Sequence, residues 1–388
     1  MIAAEKEPPS FNSSSGRPRI PFKRRLAYGT IIYLCFLLLL AAIEVVTRLT
    51  IAHVSSLDLF VATSQQKAQV ADAKQSTIFE GDPLLLWRLK PNLDHVVWDF
   101  TIVSTNSQHL RSVDPSKQLK AKQAGTIRIL CLGDSVTFGY RVPAVWPEKP
   151  TEYDPEWLPY PMLLEKSLRT ANPGKGIEVI TMAVPGYTSH QGLAWLRHDI
   201  DQLRPDLLIV SFGWNDVSFS DAPDGEAINT GWRAVGIRWL IDHSQAFAHA
   251  TRWLRSRQRA STTVPRPVTR VSDQEYLNNF REFILLAKEK GSRIIILAAP
   301  YRDRTTNPPE AALMVRYRTS LRSFAQQNGV TFLELLELTE AAYPSNEGWF
   351  GELIHPNHMG HRLIASELLK LFAANRMLRD VNIPVLTP

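Results

Sequence analysis

Cysteine is nearly absent: the 388 residues hold two. Cys35 sits inside an apolar run and Cys131 inside an expected buried strand. No disulfide between them is expected, and two thiols offer no metal framework. The scarcity leaves the redox compartment open, because a cysteine-poor domain folds on either side of a membrane. Acidic residues are outnumbered 38 to 44 by Lys and Arg, for a net charge of +6. A basic balance can mark a nucleic-acid binder, but no nucleic-acid motif with interleaved aromatics is present, nor any internal repeat. The excess charge is gathered in two places. One is Arg17, Arg19, Lys23, Arg24 and Arg25, just ahead of the apolar run. The other runs through Arg252, Arg255, Arg257, Arg259, Arg266 and Arg270. These read as a topogenic cluster and a solvated basic linker, which argues against nucleic acid as the partner.

The hydrophobic share is 44% and the charged share 21%, which suits a chain that buries a core. The length allows one large domain with accessories, or two modest ones. Residues 1–25 are polar, with Pro, Ser and Gly, and read as a disordered cytoplasmic tail. No charge appears from Leu26 to Ile43, and only Glu44, Arg48 and His53 are polar-charged from there to Val54. A transmembrane anchor is expected over 26–48, with the basic flank holding the N-terminus in the cytoplasm and the rest outside. A cleaved signal peptide is the rival, and Ala41-Ala42 followed by Ile43 and Glu44 fits a cleavage site poorly.

A polar stalk is expected over 49–78 and a small β accessory element over 79–125, where Gly81-Asp82-Pro83 and Pro91-Asn92 punctuate short runs of Val, Ile, Trp and Thr. From Thr126 the texture becomes strand–helix alternation. Short apolar runs at 127–132, 177–184, 207–212, 294–299 and 330–333 read as buried strands. Amphipathic stretches near 160–170, 189–203, 273–290, 311–327 and 358–374 read as helices. The pattern predicts an α/β fold, a flavodoxin-like three-layer sandwich with a central parallel sheet over 126–376 and a tail at 377–388. Two insertions interrupt it. The segment 141–159 is proline-rich and aromatic, with Trp146, Tyr153 and Trp157. The segment 219–270 is long and basic, with one helix expected near 232–256, and reads as a lid or a flexible excursion.

Ligands of open parallel sheets lie beyond the carboxyl ends of the strands. There the first strand runs into Gly133-Asp134-Ser135-Val136-Thr137-Phe138-Gly139. A serine at such a turn exposes its hydroxyl, and the following helix start aims N–H groups at a developing anion. The same residues also suit plain turn and cap chemistry. The second strand ends in Pro185-Gly186-Tyr187, the third in Gly213-Trp214-Asn215-Asp216. Glu352, His355 and Pro356 precede the last helix. A loop histidine near a serine can act as general base, and a carboxylate three residues earlier can orient it. The repeat of His355, His358 and His361 hints at metal ligands, but a helix starting near Asn357 leaves His355 outside it. His358 and His361 then read as surface histidines, and no metal or cofactor is expected.

The four blocks, in this order, resemble the GDSL, or SGNH, hydrolase superfamily: G-D-S-x-T-x-G at 133–139, the glycine at 186, G-x-N-D at 213–216 and the His-Pro pair at 355–356. The resemblance covers roughly Thr126 to Phe372. It implies Ser135 as nucleophile, His355 as base, and an oxyanion hole from the N–H groups of Ser135 and Gly186 with the Asn215 amide. Asp134 and Asp216 would support them. The family's acid is an Asp three residues before the His, whereas this chain has Glu352, whose longer side chain requires a shifted turn. The resemblance implies acyl-enzyme formation and then transfer to water or to an alcohol. The expected substrate is an O-acyl ester on an extracytoplasmic glycan or lipid, with the 141–160 segment as an aromatic flap. An acyltransferase acting on an envelope glycan uses the same residues, and a non-catalytic envelope protein could keep the same scaffold.

Overall fold

The computed structural model describes residues 21–55, 59, 78–116, 118–142, 157–220, 223–227, 231–260, 268–298, 309–335, 337, 349–350 and 354–387. It divides into two compact units. The smaller is Met1–His53 with Ser244–Ala246, and the larger is Val54–His243 with Phe247–Pro388.

In the smaller unit, helix α1 (Phe22–Thr50) spans 29 residues, about 43 Å at the α-helical rise. It is long and apolar enough to cross a bilayer, and it begins four residues before the expected span. Its side chains are exposed almost throughout, Thr47 excepted. Within this unit Glu44 accepts hydrogen bonds from Ser244 Oγ at 2.8 Å, Gln245 N at 2.9 Å and Ala246 N at 3.0 Å.

The larger unit opens with two hairpins. Strand β1 (Phe79–Asp82) pairs with β2 (Leu86–Leu89), and β3 (Val96–Trp98) with β4 (Thr101–Val103). The β1–β2 turn forms because Asp82 Oδ1 accepts from both Leu84 N and Leu85 N. Then follow β5 (Ile127–Gly133), helix α2 (Ser135–Phe138), α3 (Tyr160–Ala171), β6 (Ile177–Ala183), α4 (Ser189–Leu203), β7 (Leu207–Ser211), β8 (Phe219–Ser220), α5 (Trp232–His243), α6 (Gln245–Ala260), β9 (Val268–Thr269), α7 (Asp273–Glu289), β10 (Arg293–Leu297), α8 (Pro309–Gln327), β11 (Thr331–Leu333) and α9 (His358–Ala374).

Strands β11-β10-β7-β5-β6 form one parallel sheet. Counting only these five along the chain, the order is the 2-1-3-4-5 of a flavodoxin-like fold, whose direction reverses between the first strand and the third. Both faces are apolar, as a sheet covered on two sides demands. Leu130, Leu132, Leu208 and Val210 pack under α4, α7 and α8 with the β1–β2 hairpin. Their neighbours Ile129, Cys131, Leu207 and Ile209 pack under α3 and α9. Cys131 is buried and Cys35 exposed, both as free thiols.

The expected single helix near 232–256 is two. Ser244 breaks it, lying between α5 and α6, as a residue that favours helix starts over helix interiors. Antiparallel pairing of β8 with β9 closes the base of this insertion.

Candidate active site

Strand β5 passes close to the end of β7 before it delivers Ser135. A Cβ on Gly133 would lie 2.1 Å from Thr137 Oγ1 and 2.8 Å from the Ser211 carbonyl, so glycine is required there. Asp134 caps α2 by accepting from Val136 N at 2.9 Å. Ser135 is thus the first residue of a short helix at the point where the strand order reverses. His355, 220 residues later, brings Nε2 to 2.8 Å from Ser135 Oγ. Pro356 is buried beside it, and Asn357 caps the following helix by accepting from Gly360 N.

The His355 ring packs against Tyr140 with centroids 4.6 Å apart. The Tyr140 hydroxyl donates to Asp99, which also holds Arg141 Nη2 at 3.1 Å. The accessory element therefore reaches the wall of the site through the β3–β4 turn.

At the end of β6, Gly186 has φ +85, a left-handed conformation that glycine adopts without strain. Both peptides around it are held from outside the sheet. The Pro185 carbonyl accepts from Trp87 Nε1 at 3.3 Å, and the Gly186 carbonyl from Arg270 Nη1 at 2.8 Å. Arg270 also pairs with Asp224 at 2.9 Å and donates to Gln191 Oε1 at 3.1 Å. It is buried, which corrects the expectation that this arginine lies in a solvated linker. A buried guanidinium with a carboxylate and two further acceptors satisfies its fork, which a solvated position would not require.

At the end of β7, Asn215 Nδ2 donates to the Tyr187 carbonyl at 3.0 Å and lies 3.4 Å from Asp134 Oδ2. Asp216 turns the other way and is fully buried. It accepts from Ser189 N at 3.0 Å and Ser189 Oγ at 2.5 Å at the start of α4. Burial pushes its carboxyl up to about 7, against those hydrogen bonds and Arg270. Burial likewise pushes Asp134 up to about 6, opposed by the Val136 N–H, by His355 and by Asn215.

Ser135, His355, Asp134 and Asn215 thus form one contact group, with Gly186 in the adjoining turn and Asp216 behind it. Glu352, Trp146 and Tyr153 lie outside the described residues. The two further histidines differ from expectation. His361 is buried, not on the surface: its Nδ1 accepts from Tyr160 N at 3.2 Å. Burial, with smaller pushes from Arg111, His355 and His358, drives it down to about 3, so it is neutral. His358 is half-buried and stacks on Trp157 with centroids 3.9 Å apart. The helix buries this flank because α9 lays its apolar face on the sheet and His361 lies on that face. Among the described residues no three His, Cys, Asp or Glu side chains converge as metal ligands.

Sequence reasoning missed Asp99, Trp87, Asp224 and Arg270. Only Arg270 carried a signal: it falls where the insertion returns to the sheet, just ahead of apolar Val271 and the Ser272 cap of α7.

The model of the GDSL-like lipase/acylhydrolase family matches residues 131–363. An acetylxylan esterase of Geobacillus stearothermophilus is 20% identical over 247 residues, 63% of this chain and 92% of the relative. An arylesterase of Vibrio mimicus is 33% identical over 98 residues, 25% of this chain; the chain spans 42% of that relative's length. Among solved structures, an alpha/beta hydrolase enzyme from the metagenome of Lake Arreo, Spain, has a TM-score of 0.42 at 20% identity, covering 66% of this chain and 99% of its own. With its matched segment taking in Ser135, Gly186, Asn215 and His355, the chain belongs to the GDSL-like lipase/acylhydrolase family.

Proposed function

We propose that the protein is a membrane-anchored serine esterase that removes an acyl group from an extracytoplasmic glycan or lipid. The observation that carries this reading is the 2.8 Å approach of His355 Nε2 to Ser135 Oγ at the reversal point of the sheet. Nε2 takes the hydroxyl proton as Ser135 Oγ attacks the ester carbonyl. The carbonyl oxygen becomes an anion, met by the N–H groups of Ser135 and Gly186 and by the Asn215 amide. Collapse breaks the bond to the leaving alcohol, which takes the proton from the imidazolium. Water, activated by His355, then releases the acid and restores the serine. Glu352 orients His355 and steadies its charged form. Asp134 fixes the start of α2, and Asp216 the start of α4.

A glycan substrate is favoured over a simple aryl ester because the relative matched over most of its length is an acetylxylan esterase. Aromatic Trp146, Tyr153 and Trp157 are the candidates in the sequence for contact with the sugar or acyl chain. Helix α1 supplies the anchor, with the basic cluster at its N-terminal end in the cytoplasm. The test is acetate release by the detergent-purified full chain from p-nitrophenyl acetate and from acetylated xylo-oligosaccharide. Both reactions should disappear in Ser135→Ala and in His355→Ala. Turnover that survives both substitutions would refute the assignment. Alkaline carbonate should leave the protein in the membrane pellet, and release to the supernatant would refute the anchor.

A further inference from the structure

Helices α5 and α6 leave their apolar sides uncovered. Ile241 of α5 and Ala248 of α6 are fully buried in one small apolar cluster with Val54. Buried Arg238 ties α5 to the first hairpin by donating to the Pro83 carbonyl at 2.5 Å. The opposite sides carry large apolar groups in the open: Trp232 is 79% exposed, Trp239 49%, Trp253 53% and Leu254 56%, with Leu240 and Phe247 beside them. In α5, Trp232, Trp239 and Leu240 share one side of the helix; in α6, Phe247 and Leu254 do.

Cations are mixed into this surface. Arg233 lies over the Trp232 ring at 5.1 Å and Arg257 over Trp253 at 4.1 Å. Helix α6 contains Arg252, Arg255, Arg257 and Arg259 and no carboxylate. An aqueous surface has no use for three open indoles, and a protein partner of ordinary composition would not call for a helix with several arginines and no carboxylate. On α6, Trp253, Leu254 and Arg257 lie on the side away from buried Ala248, and on α5 Arg233 lies beside Trp232. Tryptophan beside arginine suits the headgroup layer of an anionic bilayer, where indoles sit at the acyl boundary and guanidinium groups meet phosphates.

We infer that α5 and α6 form a second, monotopic membrane contact, lying in the headgroup layer of an anionic leaflet through Trp232, Trp239, Trp253, Leu254, Arg233 and Arg257. Helices α5 and α6 are then a surface-lying platform, distinct in role from the spanning helix.

The test uses the full chain reconstituted in phosphatidylcholine–phosphatidylglycerol bilayers with lipids brominated near the headgroup end of the acyl chains. None of the ten tryptophans lies in residues 1–53, so indole quenching does not report on α1. With three of the ten indoles at the acyl boundary, quenching should remove roughly three tenths of the emission. A W232F/W239F/W253F variant with an unchanged far-ultraviolet spectrum should lose most of that quenching. Arg233→Gln with Arg257→Gln, or replacement of all phosphatidylglycerol by phosphatidylcholine, should reduce it at least twofold. Equal quenching in wild type and triple variant would overturn the inference, as would none in wild type. Shielding of the indoles from iodide that rises with protein concentration, without bromolipid quenching, would point to a second copy of the chain and overturn it too. The carbonate extraction reads the α1 anchor alone, so the two can fail separately.

Discussion

Arg270 donates to the Gly186 carbonyl at 2.8 Å across 84 residues of sequence, and so binds the return of the insertion to the turn beside Ser135. If the Gly186 N–H meets the oxyanion, fixing this turn matters more in the transition state than in substrate binding. Arg270→Gln should lower kcat about tenfold and leave KM within about twofold, since one loosened donor is at stake and not the whole hole. It should also lower the melting temperature, because Asp224 is left buried without its cation. Adding Asp224→Asn should recover part of the stability and none of the kcat. Recovery of both would make Arg270 purely structural.

Ser135→Ala should remove activity, whereas Glu352→Ala should leave a measurable fraction. The base and the oxyanion donors remain when the orienting carboxylate goes, and such sites retain part of their rate. Steady-state hydrolysis of p-nitrophenyl acetate by both variants decides it. Equal losses would make Glu352 indispensable.

The Tyr140 ring lies against His355 and its hydroxyl donates to Asp99. Tyr140→Phe keeps the packing and should cost kcat less than about threefold, whereas Tyr140→Ala frees the imidazole and should cost about tenfold or more. The two variants compared at saturating substrate check this. Equal losses would place the effect in the hydroxyl–carboxylate bond.

Which parts of this were readable in sequence follows from range. Ser135, Gly186, Asn215 and His355 each sit within a few residues of a strand end or helix start, so local pattern and the parallel-sheet rule locate them. Asp99, Trp87 and Arg270 act across 41 to 98 residues, and nothing in their own neighbourhoods says which turn they reach. The spacing of His361 from His355 and His358 does not say which face of α9 packs on the sheet, so the sequence alone does not place its ring inside. The break at Ser244 was missed because apolar residues continue on both sides of it.

Buried titratable groups give opposite pH signatures. His361 is held down to about 3, below its ordinary 6.5, so the unfolded chain takes up a proton first as pH falls. Its contribution is intact above 6.5 and is lost progressively from 6.5 towards 3, by an amount on the order of a few kcal/mol. Asp216 is held up to about 7, above 3.8, so stability present below 3.8 is lost as pH rises from there to 7. Urea unfolding at pH 4 and pH 7 should show a larger acid loss in wild type than in His361→Gln. Asp216→Asn should remove a loss on the alkaline side. Parallel profiles for all three proteins would mean that neither group is held away from its ordinary range.

The central claim is that Ser135 is an activated nucleophile. The most direct measurement is fluorophosphonate labelling of the full chain beside Ser135→Ala, with the modified peptide identified by mass spectrometry. One adduct is expected, on Ser135, and none in the variant. A folded wild type that takes no label, or a variant labelled equally, would contradict it.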